Sequence, residues 1–185
     1  MKSERTGTLY IRNLRDVPHL IPTLACWFHK EWGCFSSYHS IENATIRLSQ
    51  HNTSSELPLT LIAFLGDEAA GTASIVQHGK EDSKTGNLWL SYVYVNPDYR
   101  KLGIGSFVAA EAEKQARLIG QQMIALHTTN QESFFKKLGW ETIMKDSFNN
   151  PAAVMVKMLK PASMISMQHQ SRMHQRNYAQ SLPLQ

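Results

Sequence analysis

Arg100, Lys101, Gly103 and Gly105 fall within one six-residue run, Arg100-Lys101-Leu102-Gly103-Ile104-Gly105, between a strand pattern and a helix pattern. Two cations and two glycines at that spacing suit an oxyanion, above all a phosphate. A helix start turns free N–H groups outward and carries about half a positive charge. Glycine lets the main chain come close to an oxygen-rich ligand. The backbone amides of Lys101 to Ser106 are therefore candidate phosphate ligands, with Arg100 and Lys101 adding charge. The run lacks the G-x-G-x-x-G of a dinucleotide fold and the G-K-S/T of a P-loop. A helix start whose glycines serve packing alone has the same appearance.

The strand before this loop reads Val93-Tyr94-Val95-Asn96-Pro97, and Arg100-x-x-Gly103-x-Gly105 follows it. This pattern resembles the acyl-coenzyme A signature of the GNAT superfamily of N-acetyltransferases. Phe134-Phe135-Lys136-Lys137-Leu138-Gly139-Trp140 is similar to that family's second signature, and the two stand in the family's order. The resemblance spans roughly residues 8 to 160. It is nearest to a bacterial branch of unassigned substrate, with a distant likeness to actin N-terminal acetyltransferases.

The resemblance implies acetyl-CoA as co-substrate and a primary amine of a small molecule or a peptide N-terminus as acceptor. The backbone of Val93, Tyr94 and Val95 would run along the pantetheine arm, and an N–H there would donate to the thioester carbonyl, where charge grows in the transition state. Leu102, Ile104 and Ser106 would join the pyrophosphate loop through main chain. Asn130 would hold the cofactor arm, though it also suits a turn or helix cap. Phe135 departs from the pattern, because the family commonly carries a tyrosine whose hydroxyl protonates the departing sulfur. A thiol pKa of about 8.5 makes release of bare thiolate at pH 7 cost about 2 kcal/mol. A lost general acid costs about 10²–10⁴ in rate. Tyr92, Tyr94 and His127 are the candidate replacements. His127, by its ordinary pKa, is also the first candidate for the base that frees the amine, and Glu31 on the first helix is the second. A non-catalytic acyl-CoA-binding sensor or scaffold is the alternative that Phe135 leaves open.

The elements that must position these groups can be read from patterning. Leu9 to Leu14 reads as a strand, and Asp16 is expected to cap a helix with Pro18 in its first turn. Leu20, Leu24, Trp27 and Phe28 recur at helical spacing through Trp32, and Trp27 and Trp32 are candidates to line an acceptor pocket. Ser40 caps a second helix with Ile41, Ala44, Thr45 and Leu48 on one side. Leu59 to Leu65 and Ala69 to Gln77 form a hairpin about Gly66-Asp67-Glu68. Leu88 to Val95 is the central strand. Ile104, Phe107, Val108, Ala112, Ala116 and Ile119 mark an amphipathic helix that Gly120 stops. Gln122 to Thr128 is a fifth strand and Gln131 to Leu138 a short helix. Trp140 to Phe148 and Ala152 to Leu159 make a last hairpin turning at Asn149-Asn150-Pro151. Parallel connections are expected only across the two later helices. The fold class is α/β (α+β). The resemblance implies a mixed, mostly antiparallel sheet of about seven strands, helices on both faces, and a splay between the fourth and fifth strands.

The 185 residues suit one domain over 1–160 and a polar tail over 161–185, either disordered or a loosely docked arm. Net charge is +4, and the tail holds two arginines and no acid, so the body carries only +2. That balance does not call for nucleic acid. No apolar run nears a membrane span, and the N-terminus lacks a signal-peptide core, so a cytoplasmic protein is expected. Cys26 and Cys34 are too few for a disulfide framework, and His169 and His174 lack helical ligand spacing, so no metal is expected. A homodimer stays open.

Overall fold

The computed structural model describes residues 7–33, 40–51, 56–78, 84–145 and 152–159. Cys34, the turn at Asn149-Asn150-Pro151 and the whole 161–185 tail, with its histidines, lie outside the described residues.

Seven strands form one sheet in the order β1-β2-β3-β4-β5-β7-β6. They are β1 (Leu9–Asn13), β2 (Leu59–Leu65), β3 (Glu68–Gln77), β4 (Leu88–Val95), β5 (Met123–Thr128), β6 (Glu141–Lys145) and β7 (Ala153–Met158). Leu65 pairs with Glu68 across a turn in which Gly66 takes φ 58°, a conformation that favours glycine. β4 and β5 pair in parallel and every other neighbouring pair is antiparallel. The fold is thus the mixed, mostly antiparallel architecture expected from sequence. One connection differs in detail. The crossover after β5 does not deliver an adjacent parallel strand, because β7 returns between β5 and β6 and takes β5's free edge.

Helices α1 (Ile21–Trp32) and α2 (Ile41–Gln50) cover one face, packing on residues of β2, β3 and β4. Their core side chains are Leu24, Ala25, Phe28, Ala44 and Leu48, set against Ile62, Phe64 and Tyr94. Ile41, assigned to that face from spacing, is exposed instead, because it stands in the helix's first turn at the rim. Helix α3 (Ile104–Leu118) lies on the other face, burying Ile104, Val108, Ala112 and Ala116. The short α4 (Glu132–Lys137) follows β5.

The start of α1 corrects one expectation. Asp16 does not cap it. Two 3-10 turns, Leu14–Asp16 and Pro18–Leu20, precede the helix, and it is Asn13 whose side chain accepts the Arg15 N–H at 3.1 Å. Pro18 and Pro22 both lack an N–H, so the chain winds into the helix through tight turns rather than from one polar cap. Ser40 caps α2 as expected, accepting the Asn43 N–H at 3.1 Å.

Candidate active site

The site begins where two strands part. β4 and β5 pair only at Trp89–Ala125 and Leu90–Leu126. Beyond those pairs β4 is distorted. Ser74 faces Ser91 and Thr72 faces Tyr94, so two steps along β3 span three along β4. The extra residue makes a bulge at Tyr92–Val93, and Tyr92 sits at φ 53°. A side-chain-bearing residue in that region costs about 1–3 kcal/mol. The buried Thr72 holds the bulge by donating its Oγ1–H to the Tyr92 carbonyl at 3.0 Å.

The loop past β4 is built to expose main chain. A 3-10 turn, Pro97–Tyr99, is fixed by the Asn96 side chain, which accepts the Asp98 N–H at 3.2 Å, and by burial of Tyr99. Lys101 and Gly103 then take φ 69° and 79°. Gly103 is the N-cap of α3 and offers no side-chain cap, and the first turn holds no acidic residue. The Phe107 N–H closes the first helical bond to the Gly103 carbonyl at 3.0 Å. The N–H groups of Ile104, Gly105 and Ser106 therefore lie outside the helix's own ladder. A Cβ on Gly105 would stand 3.3 Å from Phe134 Cζ and 3.5 Å from Val95 Cγ2, so this glycine keeps the groove open.

These parts enclose a cleft of about 1130 Å³. Val93, Val95, Ile104, Gly105, Phe134 and Phe135 line it on the α3 side. Leu90 and Leu126 point into the α3-side core, so the alternating Trp89, Ser91 and His127 face the other way. On that second side the cleft is also lined by Glu31, Trp32, Tyr92, Tyr94 and His78. Arg100 spans the two walls. Its Nε–H donates to the Val95 carbonyl at 3.1 Å and its Nη2 lies 3.4 Å from Glu31 Oε2, with both side chains about half exposed (50% and 45%).

Tyr92 stacks on Phe28 at 5.3 Å between centroids, and Tyr94 meets Trp27 at 5.2 Å. Burial raises the Tyr94 phenol above its ordinary pKa, the Glu31 carboxylate adds to the rise, and Arg100 opposes it. The hydroxyl is therefore protonated at neutral pH. Phe135, 6% exposed, packs edge-on to Phe134 (5.0 Å) and Trp140 (5.8 Å). Ion pairs brace this wall. Trp140 Nε1–H donates to Glu113 at 3.0 Å, and Lys157 bonds both Glu113 oxygens and the Leu138 carbonyl. Glu132 takes hydrogen bonds from Lys136, Thr142 and Lys145, which hold its pKa down at about 2.

Sequence reasoning named Glu31, Tyr92, Val93, Tyr94, Val95, Arg100, Lys101 and Gly103, and all line the cleft, as do Ile104, Gly105, Ser106, His127, Asn130 and Phe135. Leu102 does not line it; its side chain is 51% exposed. Trp32 lines it, whereas Trp27 packs behind Tyr94. Sequence reasoning missed His78, Trp89, Ser91 and Phe134. Strand alternation around Leu88 and Leu90 was the signal for Trp89 and Ser91; His78, just past the end of β3 with its N–H bonded to the Asn87 carbonyl, had none. Among the described residues no three His, Cys, Asp or Glu side chains gather as a metal would need.

Residues 24–140 match the family described as Acetyltransferase (GNAT) family. No curated protein matches the chain. Solved structures share the fold. A GNAT-family acetyltransferase from Streptococcus pneumoniae is 18% identical, with 82% of this chain and 99% of that one covered and a TM-score of 0.62. The aminoglycoside 6'-N-acetyltransferase of Enterococcus faecium is 18% identical over 82% of this chain and 98% of its own, with a TM-score of 0.64. The yncA protein of Salmonella typhimurium, solved with its cofactor acetyl-CoA, is 15% identical over 83% and 95%, with a TM-score of 0.63.

Proposed function

Because this chain belongs to the acetyltransferase (GNAT) family, we propose that it moves an acetyl group from acetyl-CoA to a primary amine by direct attack. The observation that carries this reading is the interrupted β4–β5 pairing, which opens a groove leading to the uncapped start of α3. Acetyl-CoA, when bound, supplies an acyl carbon already activated as a thioester.

The chain's own groups can do the rest. The amides of Lys101 to Ser106 would take the pyrophosphate, with Arg100 and Lys101 adding positive potential. Main chain at Val93, Tyr94 and Val95 would receive the pantetheine arm, and Asn130 lies on the opposite lip. The bulge puts Tyr92 and Val93 out of register with β3 where both line the cleft, and a main-chain N–H of this stretch would donate to the thioester carbonyl. His127, with Glu31 second, would take one proton from the ammonium. As the C–N bond forms and the C–S bond breaks, the nitrogen sheds a second proton to solvent. The sulfur leaves with one from Tyr94, with Tyr92, which also lines the cleft, the second candidate donor. The acceptor is a small molecule or a peptide N-terminus; an α-amine, with a pKa of about 7.7–8.0, is freed more easily than a lysine at about 10.4.

Calorimetry of acetyl-CoA binding to the wild type and to Gly105→Glu tests the cofactor half. A side chain at 105 would enter the groove beside Phe134 and place a carboxylate where the phosphate belongs. Affinity should fall by more than about tenfold, from charge alone, and equal affinity sinks the reading. Phe135 favours a second reading, a domain that binds acyl-CoA without turnover. Free thiol released in the presence of an amine panel excludes it.

A further inference from the structure

From the half of the cleft that faces away from α3, we infer the class of acceptor: a single primary amine carried on a flat aromatic or apolar body, not a polycation. The inference rests on the acetyl-transfer reading above and concerns what the same site accepts.

Strand alternation turns Trp89, Ser91 and His127 to one side of the β4–β5 gap, and Trp32, Tyr92 and Tyr94 wall that side. The C-terminal end of α1 reaches this side of the cleft through Glu31 and Trp32. Trp89 is only partly buried, and the His78 ring stands edge-on to it at 5.9 Å and 80°. Trp32 is likewise partly exposed, edge-on to Tyr92 at 5.8 Å and to Tyr94 at 6.2 Å. Two indole surfaces therefore border one opening, each fixed by a neighbouring ring. Rigid aromatic walls select flat apolar groups by burial and by offset or edge-on ring contact, and their faces also attract an ammonium.

Charge narrows the class. Among the described residues lining the cleft, Glu31 is the only carboxylate, against the two cations Arg100 and Lys101. Glu31 already pairs with Arg100 at 3.4 Å. One such carboxylate can anchor one ammonium by exchange with Arg100, while further positive charges on the ligand would meet Arg100 unopposed. The anchored amine reacts as above: it loses one proton to a base, its nitrogen bonds the acyl carbon, and the C–S bond breaks to release a thiol.

The experiment measures thiol release by the full chain with acetyl-CoA and four probes: 2-phenylethylamine, tryptamine, n-butylamine and kanamycin. We expect kcat/KM for the two aryl amines to exceed that for butylamine and for kanamycin by about tenfold or more. Trp89→Ala and Trp32→Ala should shrink that ratio, through KM of the aryl amines, with acetyl-CoA affinity by calorimetry unchanged. A preference for kanamycin or butylamine in the wild type overturns the inference and leaves acetyl transfer standing. So does a loss in both variants that is equal for all amines, which marks the indoles as structural. A protein that binds acetyl-CoA but releases no thiol with any of the four probes overturns the inference, and no release with a panel of peptide N-termini besides overturns the acetyl-transfer reading itself.

Discussion

The ring of Phe135 lines the cleft while packing edge-on to Phe134 and Trp140, at the position where the family commonly holds a tyrosine. Phe135→Tyr adds one hydroxyl to a side chain already at the groove. We expect kcat for thiol release to rise, by up to about 10²-fold, with KM for acetyl-CoA unchanged, because a positioned acid contributes at least that much when sulfur protonation limits the rate. An unchanged kcat would assign proton delivery to Tyr94 or another donor. The two loop glycines should separate in a different way. Gly103 stands at φ 79° with open space where a Cβ would go. Gly103→Ala should cost about 1–2 kcal/mol of stability, the penalty of a left-handed side-chain-bearing residue, seen as a lower melting temperature with acetyl-CoA affinity retained. Gly105→Glu should do the reverse, since its backbone is helical and its obstruction lies in the groove. The sequence made these residues legible because a local run, strand end to helix start, holds them all. His78 was not legible as a site residue, because its place against Trp89 is a contact between the end of β3 and β4, which is a fact of packing.

Strand β4 shows what an element adds to its residues. Its span was readable from a β-branched and aromatic run ended by proline, and α3 from apolar spacing and Gly120. The bulge at Tyr92–Val93 was not readable. It is a mismatch of register between β3 and β4, held by Thr72 from twenty residues away. Thr72→Val keeps the shape and removes the donor, leaving the Tyr92 carbonyl without that bond inside the sheet. We expect a loss of about 1–3 kcal/mol, read as a fall in the urea midpoint. If the bulge sets the β4–β5 gap, acetyl-CoA affinity should fall with it. Unchanged affinity would mean that the gap is held by β5 and α4 alone. The same non-local logic explains two other differences from the sequence reading. β7 slots between β5 and β6 because β5 has a free edge, and α1 begins late because Pro18 and Pro22 force tight turns first.

Across the whole molecule, the α2 end is tied to the sheet by a buried polar chain that runs from helix to strand to strand. His51 Nδ1 lies 2.7 Å from Thr60 Oγ1, which lies 2.7 Å from Ser74 Oγ. All three side chains are buried. Desolvation, with a smaller push from Arg47, lowers the His51 pKa from 6.5 to about 4. Above pH 6.5 the imidazole is neutral whether the chain is folded or not, so the group leaves stability independent of pH. Between about 6.5 and 4 the unfolded chain binds a proton that the folded chain refuses, and stability falls as pH falls. From pH 7 to 5 that loss is about 2 kcal/mol, and below about 4 it levels off. Glu132, held down at about 2 by its lysine and threonine partners, loses its own contribution mainly at lower pH, because its unfolded value is 4.5. Urea unfolding at pH 7 and pH 5 measures the His51 share. His51→Gln keeps a hydrogen-bonding side chain that does not titrate, so its stability should change by about 2 kcal/mol less than the wild type's over that interval. Parallel losses in the two proteins would show that the imidazole is not the group whose protonation the fold excludes.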